Sequence, residues 1–269
     1  MNALPPRQAQ IMEIARSDGR VLVEDLASRF EVTPQTIRKD LNELCDRRLL
    51  SRVHGGAMLS SGTENVAYAA RRALAHDEKR AIADRAAALI PDASSLFINI
   101  GTTTEEVARA LTSREGLLVI TNNIHVVQIL LDSPRIEVVV AGGLVRRTDG
   151  GIVGEATLDL VSQFKVDIAV IGASAIDEDG TLLDFDYREV RVTQKIIENA
   201  RKVVLVADAM KFTRTAPVRI GHVSQIDVLV TDGAPPERFR EICRESGVQL
   251  EVVGGGGGEP GEAEINGAT

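Results

Sequence analysis

Residues 23–57, VEDLASRFEVTPQTIRKDLNELCDRRLLSRVHGGA, read as two helices parted by a tight turn. In VEDLASRF (23–30), Leu26, Ala27 and Phe30 fall on one side. Glu31-Val32-Thr33 leaves room only for a turn. Thr33 then supplies an N-cap oxygen, and Pro34 takes the first helical position, where its missing N–H costs nothing. From Pro34 to about Arg47, Ile37, Leu41 and Leu44 recur at helical spacing and define a buried face. The opposite face carries Gln35, Arg38, Lys39 and Asn42, residue types that hydrogen-bond base edges or phosphates.

The flanks complete the unit. RQAQIMEIAR (7–16) predicts a further helix with Ile11, Ile14 and Ala15 inward, ended by Asp18-Gly19. LLSRVHGGAM (49–58) predicts a small hairpin, or wing, in which Arg52 and His54 flank the turn and Gly55-Gly56 permit close backbone approach. Two helices, a short turn and a third helix with a polar outer face make a helix-turn-helix. A three-helix domain with a merely solvated face is the blander reading; turn, cap, core spacing and wing together weigh against it. The candidate DNA contacts are Thr33, Gln35, Thr36, Arg38, Lys39, Asn42, Arg52 and His54.

Bulk properties agree once they are divided. The 269-residue chain suggests two domains. Its net charge of −8 argues against a nucleic-acid partner, but residues 1–60 hold nine Lys/Arg and eight Asp/Glu, which leaves 22 against 31 for the rest. The acidity therefore belongs downstream, while Arg38, Lys39, Arg47, Arg48 and Arg52 cluster near the third helix. No apolar run is long enough to span a membrane, and residues 1–18 lack a signal-peptide core, so a cytoplasmic protein is expected. Two cysteines, Cys45 and Cys243, give no basis for a disulfide framework or a metal site, and no cofactor is expected.

Beyond residue 66 the pattern changes. Apolar runs at 95–100, 117–122, 136–142, 167–173, 202–207 and 227–231 alternate with helical stretches such as EEVARAL, HVVQILL and EATLDLVSQF. That rhythm predicts βαβ units and a mostly parallel sheet covered on both faces. The domains expected are a winged helix-turn-helix at 4–58, a linker at 59–75, an α/β domain at 76–253 and a disordered tail at 254–269.

Strand SLFINI runs into Gly101-Thr102-Thr103-Thr104 and then a helix. Backbone N–H groups and hydroxyls at a helix N-terminus suit a phosphate, although an ordinary threonine-capped turn has the same pattern. No Gly-Lys-Ser/Thr follows and GxGxxG is absent, so neither a Walker loop nor a dinucleotide site is indicated. Thr121-Asn122-Asn123, Ala141-Gly142-Gly143, Gly172-Ala173-Ser174, and Asp208 with Lys211 also leave strand C-terminal ends, where ligands bind in open α/β sheets. The candidate ligand contacts are Gly101, Thr102, Thr103, Thr104, Asn122, Gly143 and Lys211.

The stretch 23–57 resembles the helix-turn-helix signature of DeoR-type bacterial regulators. That resemblance implies a third helix in the major groove of operator double-stranded DNA, and a regulator of sugar or polyol catabolism, usually a repressor. INIGTTTEEVA (98–108), VITNN (119–123), VAGGLVR (140–146) and VADAMKF (206–212) resemble the DeoR sensor domain, which is similar in fold to ribose-5-phosphate isomerase. The likeness implies a phosphorylated sugar or polyol as inducer, with contacts at Thr102, Thr103, Thr104, Asn122 and Lys211. Residues 149–191 and 195–208 extend it and imply glycerol 3-phosphate as that inducer. Met210 stands where relatives commonly have Ser, which removes one hydroxyl. The resemblance spans about residues 4–253.

A different class must be weighed, an active sugar-phosphate isomerase with an appended DNA-binding domain. Such enzymes need a positioned carboxylate base. Ser174 stands where those enzymes carry an acid, and Leu182-Leu183-Asp184-Phe185 replaces a Lys-Gly-Gly-type loop. Asp177, Asp184, Asp186 and Glu189 remain as a conceivable carboxylate cluster, while Asp179-Gly180 reads as a turn. A retained phosphate loop without catalytic groups favours a binding domain, and symmetric recognition of two half-sites implies a homo-oligomer.

Overall fold

The computed structural model describes residues 4–18, 20–46, 49–53, 55–59, 68–73 and 75–254. Expectations placed on Arg47, Arg48, His54, residues 60–67 and the tail from 255 lie outside them.

The N-terminal head contains helix α1 (Pro6–Asp18), strand β1 (Arg20–Leu22), helices α2 (Val23–Arg29) and α3 (Pro34–Asp46), and strands β2 (Leu50–Val53) and β3 (Gly56–Leu59). Pro6 and Pro34 each open a helix, as a residue without an N–H should. The Thr33 hydroxyl accepts from the Thr36 amide at 3.3 Å, which caps α3. Ile11, Ala15, Leu26, Ile37, Leu41 and Leu44 form one core. Ile14 packs at its edge, and Met12 joins Ile11 and Ala15 in the buried face of α1. The hairpin β2–β3 is extended by β1, which the sequence reading missed, into a three-stranded antiparallel sheet ordered β1-β3-β2. A Cβ on Gly56 would sit 1.9 Å from the Val21 carbonyl, so only glycine lets β3 lie this close to β1.

Within the stretch read as linker, α4 (Tyr68–Ala73) is helical. The remainder comprises α5 (His76–Ala88), β4 (Ser95–Ile98), α6 (Thr102–Ala110), β5 (Leu117–Thr121), α7 (Ile124–Leu130), β6 (Ile136–Val140), β7 (Leu144–Val145), β8 (Ile152–Val153), α8 (Glu155–Ser162), β9 (Val166–Ile171), β10 (Ala175–Ile176), β11 (Thr181–Asp184), α9 (Tyr187–Glu198), β12 (Ala200–Val206), β13 (Val218–His222), β14 (Val228–Thr231), α10 (Glu237–Glu245) and β15 (Gln249–Val252).

All six apolar runs named from the sequence enter one seven-stranded sheet, ordered β15-β14-β12-β9-β4-β5-β6 and parallel throughout. The seventh strand, β15, sits at an edge, and polar Gln249 and Glu251 alternate there with Leu250 and Val252, which dilutes its apolar signal. Alternation splits each strand between two cores. Leu96, Ile98 and Val170 face α5, α6 and α7, while Phe97, Ala169 and Ile171 face the side of α8, α9 and α10. The chain winds outward from β4 to β6, then returns to the other side of β4 as β9. That reversal opens a crevice beyond the C-terminal ends of β4 and β9, the usual ligand position in open α/β sheets. Asp177 and Gly180 form the turn of a separate small sheet, β10-β11-β13, with Gly180 N–H donating to Asp177 C=O at 3.0 Å.

Candidate functional site

On the head, Thr33, Gln35, Arg38, Lys39 and Arg52 are exposed, Thr36 and Asn42 half-buried. Arg38 reaches Glu24 at 3.8 Å, a loose contact between exposed groups that leaves the guanidinium available. Arg52 of β2 donates to the Asn42 side chain of α3, so wing and third helix present one continuous polar surface. Asp40, on the inner side of α3, was not singled out in the sequence. It is buried and accepts from Arg7 Nε at 2.6 Å and from Gln8 Nε2 at 3.2 Å, which fixes α3 against α1. A basic, polar-faced third helix on such a rigid base can enter a DNA groove.

The second candidate lies in the crevice. Gly101, Thr102, Thr103, Thr104, Gly172, Ser174, Asp184, Glu189, Lys211 and Arg71 line a small recess there. Gly101 caps α6 with φ of +152°, a backbone conformation that side chains rarely adopt. The loop therefore delivers α6's N-terminal amides to the recess. Thr102 and Thr103 line it, whereas the Thr104 hydroxyl lies 2.8 Å from both the Asn99 and Gly101 carbonyls and so braces the loop. Asn122 and Gly143 lie outside the lining. Asn122 Nδ2 donates to Ile152 C=O at 3.1 Å, tying β5 to β8. Gly143 lies against Thr157 and Val153.

Cations crowd the recess. Lys211 is pushed down to about 8 by burial, opposed by Asp208 at 3.9 Å and reinforced by Arg214, Arg71 and Lys79. Lys79, buried on α5, is likewise pushed down to about 8 by burial, with Asp208 opposing and Arg214 and Arg71 adding to the fall. Burial also lowers Arg214. The nearby acids are Asp208, Glu106, which is paired with Arg109 at 3.2 Å, Asp149, 3.4 Å from Arg71, and Asp184, which interacts with Arg71 and Lys211. Four cations thus converge on one space, a setting suited to a dianion. Arg71, Lys79 and Arg214 were missed in the sequence, because a charge on an amphipathic helix or a loop ordinarily points to water.

The far wall is acidic. Asp184 accepts from Ser174 Oγ at 3.1 Å and from the Phe185 amide at 2.6 Å, and burial raises its pKa. Burial, reinforced by Asp184, lifts Glu189 to about 8 despite Arg146 at 2.6 Å. Arg146 also meets Asp149 at 2.6 Å and Asp186 at 3.2 Å. Of the four carboxylates considered from the sequence, Asp184, Asp186 and Glu189 gather here, whereas Asp177 opens its turn elsewhere. A recess cationic at one end and hydrogen-bonding at the other matches a molecule with a phosphate and neighbouring hydroxyls.

A winged helix-turn-helix joined to a separate α/β domain defines a DNA-binding regulator. Comparison with known proteins agrees. The DeoR-like helix-turn-helix domain model matches residues 7–63, and the DeoR C terminal sensor domain model matches residues 74–233. The glycerol-3-phosphate regulon repressor of Escherichia coli (strain K12) is 46% identical over 246 residues, covering 91% of this chain and 98% of that protein. Its counterpart in Haemophilus influenzae is 44% identical, covering 93% and 97%. The HTH-type transcriptional repressor CsqR of Escherichia coli is 39% identical, covering 92% and 94%. This chain belongs to the DeoR family of transcriptional repressors; it is a regulator and not an enzyme. Among solved structures, ribose 5-phosphate isomerase from Methanocaldococcus jannaschii superposes with a TM-score of 0.39 at 20% identity, covering 51% of this chain and 55% of that one. That partial likeness says nothing of chemistry.

Proposed function

We propose that this protein represses genes of glycerol 3-phosphate use by binding operator DNA, and leaves it when glycerol 3-phosphate occupies the crevice. The observation that carries this reading is the convergence of Arg71, Lys79, Lys211 and Arg214 behind the threonine loop, with Asp184 and Glu189 across the recess. The cations receive the phosphate together with the α6 amides and Thr102 and Thr103. The acids receive the hydroxyls. The polyol is named from the relatives of 44–46% identity that carry it in their own names. The head contributes Gln35, Arg38, Lys39, Asn42 and Arg52 to the DNA contact, and Thr33 and Thr36 support the start of the reading helix. The protein acts in the cytoplasm as a homo-oligomer, since one head covers one half-site. Among the described residues no helix is long and apolar enough to cross a membrane.

Thermal-shift titration tests the sensor. At about 100 times its Kd, a ligand adds about 2.7 kcal/mol of stability. sn-Glycerol 3-phosphate raises the melting temperature, glycerol does not, and Lys211→Ala and Thr103→Val each reduce the rise. A shift by a hexose phosphate and none by glycerol 3-phosphate overturns the named inducer. No shift by any phosphorylated compound overturns the sensor reading itself.

A further inference from the structure

We propose that Arg71 is a ligand-binding residue carried by the interdomain helix, through which occupancy of the crevice is felt by the reading head. The proposal rests on the reading of the recess as a phosphate site.

Helix α4 is the first described element after the head, whose last strand ends at Leu59. It runs against α1 of the head on one side and α6 of the sensor on the other. Six residues are too few to hold a helix by themselves, so its order depends on what it touches. Tyr68 Oη donates to Glu105 Oε2 at 2.6 Å, and its ring stacks on His125 with centroids 4.8 Å apart. The Arg71 carbonyl accepts from Lys79 Nζ. These ties end on α6, on α7 and on a member of the cation cluster, so the helix is moored to the walls of the recess.

The Arg71 side chain is less well held. Its Nη2 lies 3.4 Å from Asp149 Oδ2, an oxygen already bound by Arg146 at 2.6 Å. Its Nε is buried with no hydrogen-bond partner. An arginine in the lining of an anion-adapted recess, with a secondary hold on a shared carboxylate and an orphaned donor, is poised for a bidentate acceptor. A phosphate oxygen pair supplies one. Engaging it draws the guanidinium from Asp149 toward the threonine loop, and α4 follows because Arg71 is part of it. Differential binding between two placements of α4 then becomes differential placement of the head.

Hydrogen–deuterium exchange on the full chain tests this, with sn-glycerol 3-phosphate and inorganic phosphate as separate probes. Either probe slows exchange about tenfold both at residues 100–106 and at 68–73. In Arg71→Gln, saturating probe still slows 100–106 but no longer slows 68–73. Tyr68→Phe, which cuts a different tie, exchanges faster at 68–73 without probe yet is still slowed by it. Protection of 100–106 alone in the unaltered protein overturns the coupling and leaves the phosphate site standing. Protection of 68–73 that survives in Arg71→Gln overturns the role of Arg71. Protection at neither segment overturns both.

Discussion

Arg146 Nη2 lies 2.6 Å from both Glu189 Oε2 and Asp149 Oδ2, and its Nη1 lies 3.2 Å from Asp186 Oδ2, so one buried guanidinium holds three acidic groups, one from its own turn and two from the start of α9. The arginine comes from the β7–β8 turn and Glu189 from α9, and their contact locks the small hairpin onto the acidic wall of the crevice.

Replacing Arg146 with methionine keeps most of the volume and removes the charge. Asp149 and Glu189 are then buried without their shared cation, while Asp186 keeps Arg188 at 2.9 Å, and breaking such a cluster costs about 3–5 kcal/mol. Chemical denaturation should show a large drop in midpoint. A loss below about 1 kcal/mol would mean that water reaches these groups.

Arg38 offers the converse case. Its contact with Glu24 is exposed and long, so Arg38→Ala should leave the melting temperature unchanged. Operator affinity should fall by about 1–3 kcal/mol in a gel-shift titration at fixed salt. Unchanged affinity would move the DNA-reading surface elsewhere on the head.

Lys211 links stability to pH. Its folded pKa is about 8 against an ordinary value of 10.5, because burial and neighbouring cations disfavour its charge. Below pH 8 the folded state carries the full cost of that charge. Between pH 8 and 10.5 the unfolded chain binds the extra proton, so this contribution makes the protein more stable as pH rises. Lys211→Met should flatten that rise and raise stability at pH 7, measured by denaturant titration. A steeper rise in the variant would contradict the assignment.

The same protons govern the ligand. Lys211 and Lys79 both sit near 8, so above that pH the recess loses positive charge. Calorimetric titration of sn-glycerol 3-phosphate should show weaker binding at pH 9 than at pH 7, with proton uptake on binding near pH 8. Affinity that is flat across this range would exclude both lysines from the phosphate contact.

Much was legible in the chain because its signals are local. Cap, proline and apolar spacing at 33–44 define the reading helix within a dozen residues, and six apolar runs announced six of seven sheet strands. The Gly-Thr loop was legible for the same reason, since a strand, a glycine and a helix start are consecutive. What the sequence could not decide is which charges are buried. Lys79 lies in a helix rich in charge, HDEKRAIADRAAA, where a lysine ordinarily points to water, yet it is buried and donates to the Arg71 carbonyl of α4. Arg71 falls in a stretch that reads as linker, and its place at the recess depends on α4 docking against α6. Asn122 and Thr104 meet the same limit from the other direction. A polar residue at a strand end suits a ligand, but here β8 accepts from Asn122 Nδ2 and the loop's own carbonyls accept from Thr104. Periodicity and caps act over a few residues and can be read in order. The electrostatics of the crevice sum over residues from 71 to 214, and only the packed sheet brings those charges within reach of one another.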